Sequence, residues 1–230
     1  MRRRSFIKKS LAGSLGLTMT GFSTSAANNQ TIDLTILHTN DMHSRIDPFP
    51  QDGGPFAGLG GVARRATLIK HIREEVDQVL LLDAGDIFQG TPYFNLFGGE
   101  LEFKLMSQMK YDGSTLGNHD FDNGLDGLEK QLPHANFPFI ISNYDFTNTV
   151  LTNRFTPYQI FEKGLLKVGI FGLGIELQGL VADKLFAPTK YIDPVPVARE
   201  MVQQLQVLEC DLIVCLSHLG YQYDLSLIHI

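Results

Sequence analysis

The stretch QVLLLDAGD, residues 78–86, decides the fold. Four consecutive apolar residues, Val79 to Leu82, run into Asp, Ala, Gly and Asp, which reads as a strand buried on both faces and stopped at a turn. Such a strand needs layers on either side, and the neighbouring segments supply them. Upstream, TIDLTILH (31–38) is a strand that alternates and then turns apolar. GGVARRATLIKHIREE (60–75) has helical spacing at Val62, Leu68, Ile69 and Ile72 after a Gly-rich loop. Downstream, GELEFKLMSQM (99–109) is an amphipathic helix and DGSTLGNHD (112–120) carries a short strand.

Further along, PFIISNYDF (138–146), YQIFEKG (158–164) and LLKVGIFGLG (165–174) read as strands, the last two paired as a hairpin around Lys163-Gly164. VPVAREMVQQLQVLE (195–209) is a helix opened by Pro194 and Pro196, and DLIVCLSHLG (211–220) is another buried strand. Strands alternating with helices predict an α/β sheet, largely parallel in its first half.

The polar residues fall at the ends of those strands. Asp41 and His43 follow the first, Asp86 ends the second, Asn118 and His119 end the third, and His218 ends the last. Open α/β sheets bind ligands at the carboxyl ends of their strands, so this set converges on one rim. Carboxylate and imidazole donors suit zinc, manganese or iron. Asp86, on the middle strand, is placed to bridge two cations, and such a pair serves phosphate ester hydrolysis. His119, if protonated, stabilises transition-state charge or protonates a leaving oxygen, and Asp122 is spaced to hold its ring. Asp120 is either an outer group or a solvated turn acid. His38 is expected to be a packed or hydrogen-bonded structural residue, while His71 and His134 are expected to face solvent. The Gly-rich stretches GGPFAGLGG and IFGLGIEL match no nucleotide-cradling pattern.

Composition narrows the classes. The chain has 230 residues, 43% of them hydrophobic and 19% charged, which suits one globular domain. A net charge of −6 argues against a nucleic-acid partner. MRRRSFIKKSLAGSLGLTMTGFSTSAA (1–27) is laid out as an export signal, and Arg3-Arg4-Ser5-Phe6-Ile7-Lys8 resembles the twin-arginine type. Its apolar run is too short and interrupted for a membrane anchor, so the expected location is periplasmic or extracellular. Cleavage after Ala27 removes five basic residues and no acids, taking the charge from −6 to −11. Cys210 and Cys215 lie about 16 Å apart along a strand, beyond disulfide reach, and read as small apolar fillers.

The stretches LHTNDMH, GGVARR, DAGDIFQGTP, YDGSTLGNHDFD and LSHLG resemble the catalytic domain of the 5′-nucleotidase family of metallophosphoesterases, across most of residues 32–221. The resemblance implies a four-layer α/β/β/α sandwich and two divalent metal ions. It implies Asp41 and His43 on one metal, Asp86 bridging, Asn118 and His218 on the other, and a His119–Asp122 catalytic dyad. It further implies a small phosphoester substrate, a 5′-nucleotide first. Cyclic nucleotides, nucleotide sugars, a sulfur ester, or an inactive metal-binding fragment are the alternatives. The family also has a G-H-x-H loop giving each metal one more histidine, and a separate domain that recognises the base. DLSLIHI (224–230) lacks the first, and His229 does not replace it, so residues 28–230 are expected to be a catalytic domain truncated before that loop.

Overall fold

The computed structural model describes residues 31–228; the expected export signal and His229 lie outside them. The first half runs β1 (Thr35–Thr39), α1 (Val62–Glu75), β2 (Val79–Asp83), α2 (Pro92–Phe97), α3 (Glu100–Gln108) and β3 (Gly113–Ser114). The second runs α4 (Gly124–Gln131), β4 (Tyr144–Asp145), β5 (Tyr158–Lys163), β6 (Leu166–Leu173), α5 (Asp183–Phe186), β7 (Lys190–Tyr191), α6 (Pro194–Val207), β8 (Leu212–Ser217) and α7 (Tyr221–Leu227).

Strands β1, β2 and β3 form a parallel sheet in that order, with Leu37 opposite Leu81 and Leu82 opposite Gly113. A second sheet has the order β5-β6-β8, with β5 antiparallel and β8 parallel to β6. Alternation along the strands then builds four layers. Leu80 and Leu82 on β2 meet Val168 and Ile170 on β6 and Leu216 on β8 between the sheets. Leu81 points the other way, into the core under α1 and α3 with Val62, Ile69, Phe103 and Met106. Phe171 and Leu173 face Ala198, Met201 and Leu205 of α6. The result is helix, sheet, sheet, helix, the four-layer sandwich expected. Gly172 of β6 is packed tightly against the connecting segment, where a Cβ would lie 1.9 Å from the Ile140 carbonyl oxygen.

Three sequence readings need correction. The segment 138–146 is not one strand: Phe139 and Ile140 make single bridges to Ser114 and Thr156, and only Tyr144–Asp145 forms a strand, paired with β7. Strand β8 is apolar on both faces yet half exposed, because it pairs only with β6 among the described residues. His38 is exposed rather than packed, on the outer edge of β1. Both edges border one largely apolar groove of about 870 Å³ that also reaches Asp41 and His218.

A polar thread crosses the first sheet beneath the site. Asp83, fully buried, lies in register with Thr39 and Ser114, and accepts hydrogen bonds from the Thr39 hydroxyl (2.6 Å), the Ser114 hydroxyl (3.2 Å) and the Gly85 amide (3.0 Å). Burial outweighs these donors and pushes its pKa from 3.8 up to about 7. The native state therefore keeps the proton over a range where the unfolded chain releases it. The associated stability is complete below about pH 4 and is lost as pH rises to about 7. Asp83→Asn, which keeps the neutral shape, is expected to remove of order 2–4 kcal/mol of that decline, read from urea unfolding between those pH values.

Candidate metal centre

Two turns are laced together at the ends of β1 and β2. The amides of Asp41, His43 and Ser44 donate to the carbonyls of Gly85 (2.9 Å), Asp86 (3.1 Å) and Ile87 (2.9 Å). Asp41, His43, Ser44 and Asp86 all take positive φ, between 45° and 57°. Non-glycine residues rarely accept that backbone, and a run of them marks a turn held by its surroundings.

What holds it is Asp120. Its carboxylate is 1% exposed and takes four backbone amides: Oδ2 from Asp86 (3.0 Å) and Gly117 (2.8 Å), Oδ1 from Ile87 (2.9 Å) and Phe88 (3.2 Å). This settles its two sequence readings against the solvated one. Burial, with Asp86 nearby, pushes its pKa up to about 6 despite those donors. Sequence reasoning left its role open because an acid in a polar turn looks solvated. The signal available was its place beside Phe121, which is fully buried.

Asp86 sits at the centre. Its Oδ1 accepts the His119 amide at 2.8 Å, and its Oδ2 lies 3.3 Å from His218 Nε2 and 3.8 Å from His43 Nε2. His43 Nε2 is also 3.8 Å from Asp41 Oδ1. Gly117 must be glycine here, since a Cβ would stand 2.2 Å from Asp86 Oδ1. Both imidazoles are oriented from behind: His218 Nδ1 meets the Ala84 carbonyl at 2.8 Å, and His43 Nδ1 meets the Phe88 carbonyl at 3.2 Å. A ring that donates from Nδ1 keeps the Nε2 lone pair for a ligand. Asn118, half-buried, lies between Gly117 and His119, the two residues that contact Asp86.

His119 and Asp122 form a pair of their own, Nδ1 to Oδ2 at 2.8 Å, with the His119 ring edge-on to His43 at 5.1 Å. Burial opposes protonation of His119, but the Asp122 hydrogen bond and the charges of Asp86, Asp122 and Asp120 overcome it and raise its pKa. The same balance, burial against Asp86, lifts His218 to about 9. Burial works against the Asp86 anion too, yet His218 and His119 hold its pKa below the usual carboxylate value. Concentrated negative potential of this kind attracts cations. The donor set fits them: one ligand atom each from Asp41, Asp86 and His218 lie within 4.8 Å of one another, and all are carboxylate or imidazole.

The description that matches residues 34–221 is calcineurin-like phosphoesterase. The chain belongs to the calcineurin-like phosphoesterase family. Within it, the chain is 40% identical over 202 residues to snake venom 5′-nucleotidase of Crotalus adamanteus, covering 84% of this chain and 34% of the relative. It is 35% identical over 234 residues to the 5′-nucleotidase of Vibrio vulnificus (strain CMCP6), covering 97% of this chain and 41% of that protein. The crystal structure of the 5′-nucleotidase precursor from Thermus thermophilus superposes with a TM-score of 0.76 at 36% identity, over 84% of this chain and 38% of that one. This family member thus spans well under half the length of those relatives. It is a family of divalent-metal phosphoesterases, in keeping with the donor set of the centre.

The lacing makes Asp120 a sensitive position. Asp120→Asn replaces one acceptor oxygen by a donor and strands two buried amides. Unfolding stability should fall by about 2–6 kcal/mol in denaturant titrations, at about 1–3 for each amide left without a partner.

Proposed function

We propose that the chain is the catalytic part of an exported phosphomonoester hydrolase that uses two divalent ions and acts on 5′-nucleotides. The observation that carries this reading is Asp86, whose single carboxylate faces two separately anchored imidazoles, His43 and His218, beside the His119–Asp122 pair. In this reading Asp41 and His43 would hold one ion and Asn118 and His218 the other, with Asp86 serving both. Bound cations of this kind neutralise phosphate oxygens and lower the pKa of a water.

The chain's own groups do the rest. His119, whose protonated form the hydrogen bond to Asp122 favours against burial, stabilises charge on the phosphoryl oxygens and supplies a proton to the leaving oxygen. Asp122 fixes the ring so that Nδ1 stays committed and Nε2 is free to act. The site lies at the strand ends and opens to solvent at Asp41, which is exposed, so a polar ester can reach it. The nucleotide preference and secretion through a twin-arginine signal rest on the 5′-nucleotidase relatives and the first 27 residues. A separate base-recognising domain accords with the greater length of those relatives.

Assays of phosphate release from 5′-AMP by the mature chain with added manganese or zinc test the reading. His119→Asn is expected to lower kcat by about 10²–10⁴ with metal content unchanged. Asp86→Asn is expected to lose the bound metal, and chelation of the parent should abolish turnover until a divalent ion is restored. Phosphate release that survives both substitutions would defeat the reading.

A further inference from the structure

Beneath the 41–44 turn lies a cluster of buried polar atoms that the metal centre does not use. Glu102, on α3, is 4% exposed, and neither of its carboxylate oxygens has a hydrogen-bond partner among the described residues. Ser44 is 1% exposed, and neither its hydroxyl nor the buried Arg65 Nε on α1 has a partner among the described residues. All three residues line one cavity of about 10 Å³, closed otherwise mainly by apolar side chains such as Met42, Val62 and Ile87. Unpaired groups of this kind in an apolar interior are costly, and a carboxylate is the costliest among them.

We propose that this cavity is an internal water-binding site, and that Glu102 and Arg65 act through it as positioning residues for His43. The space matches one water, which needs two to four polar partners. The partners also match in kind. Arg65 Nε can only donate, the Glu102 carboxylate can only accept, and the Ser44 hydroxyl can do either. A single water accepts from Arg65 Nε and donates to Glu102, linking two groups that have no other hydrogen-bond partner among the described residues. A metal ion fits worse, because the guanidinium already lines the cavity.

The coupling to the metal turn is short. Ser44 follows His43 directly, its amide donates to Ile87 and its carbonyl accepts the Thr91 hydroxyl at 2.7 Å. Met42, one residue before His43, has its sulfur contacted by an Arg65 guanidinium nitrogen. The left-handed backbone of residues 43 and 44 thus lies over this cavity, in contact with α1 through Arg65 and Met42. The positioning half rests on the reading of His43 as a metal ligand; the water site does not.

A high-resolution crystal structure of the mature chain should show one water within hydrogen-bond distance of Ser44 Oγ, Arg65 Nε and Glu102, lost in Glu102→Leu. A direct Arg65–Glu102 ion pair with no water between them would overturn the water site. Calorimetric titration with manganese tests positioning. Glu102→Leu should weaken binding about 10–100-fold, as loss of supporting groups does, while Glu102→Gln, which keeps a hydrogen-bonding head, should recover most of it. Unchanged affinity in Glu102→Leu would refute the positioning role. Should that variant fail to fold, Ser44→Ala, which keeps both charges, is expected to lose the water and weaken manganese binding; retention of both would refute the proposal. His43→Ala serves as the control: if it leaves manganese binding intact, the metal reading has failed and only the water site stands.

Discussion

The Asp120 carboxylate is the constraint on which the site depends. Four backbone amides from two separate turns converge on its two oxygens. Hydrogen bonds to a charged acceptor are among the stronger ones, and burial strengthens them further. Through the Asp86 amide this carboxylate sets the residue at the centre of the site, and through Gly117 it sets the start of the turn that bears Asn118 and His119. The turn after β1 is then fixed at second hand, by its three amides on the backbone of residues 85–87. Order passes from one buried anion outward to the residues that face solvent.

That arrangement needs a rigid base, and the two packed sheets supply it. Strand β2 runs through the middle, with Leu80 and Leu82 in the inter-sheet core and Leu81 in the helix-side core. Its last residue, Asp83, joins the neighbouring strands just below the turns that carry Asp41 and Asp86. Burying Asp83, Asp86 and Asp120 beneath the same turns is expensive for the fold. The Asp86 and Asp120 carboxylates repel one another, and such a pair favours a cation beside it.

Local pattern made much of this legible. Strand β2, helix α1, the β5–β6 hairpin and helix α6 all have short-range signals, and each occurs close to where apolar spacing puts it. The placement of Asp41, His43, Asp86, Asn118, His119 and His218 after strand ends was equally visible, because strand ends are a local property. Burial was not. DLIVCLSHLG looks buried from its composition, but a strand needs neighbours on both edges, which no short stretch encodes. Asp120 and Glu102 sit in polar or amphipathic contexts that predict solvent, and only the packing of distant segments over them makes them interior. PFIISNYDF has strand composition, but its backbone bonds go in turn to Ser114, Thr156, Gly172 and the segment around β7, and that divides it.

The carbonyls of Ala84 and Phe88 carry a thermodynamic consequence. Because they hold the rings of His218 and His43 from behind, both imidazoles have their rotamers set by the polypeptide alone. An ion entering such a pocket orders little chain and covers little new apolar surface. Its uptake should therefore register in calorimetry with a heat-capacity change near zero, unlike small domains that fold around zinc. Occupancy among competing divalent ions then follows donor chemistry and cellular supply rather than any refolding step.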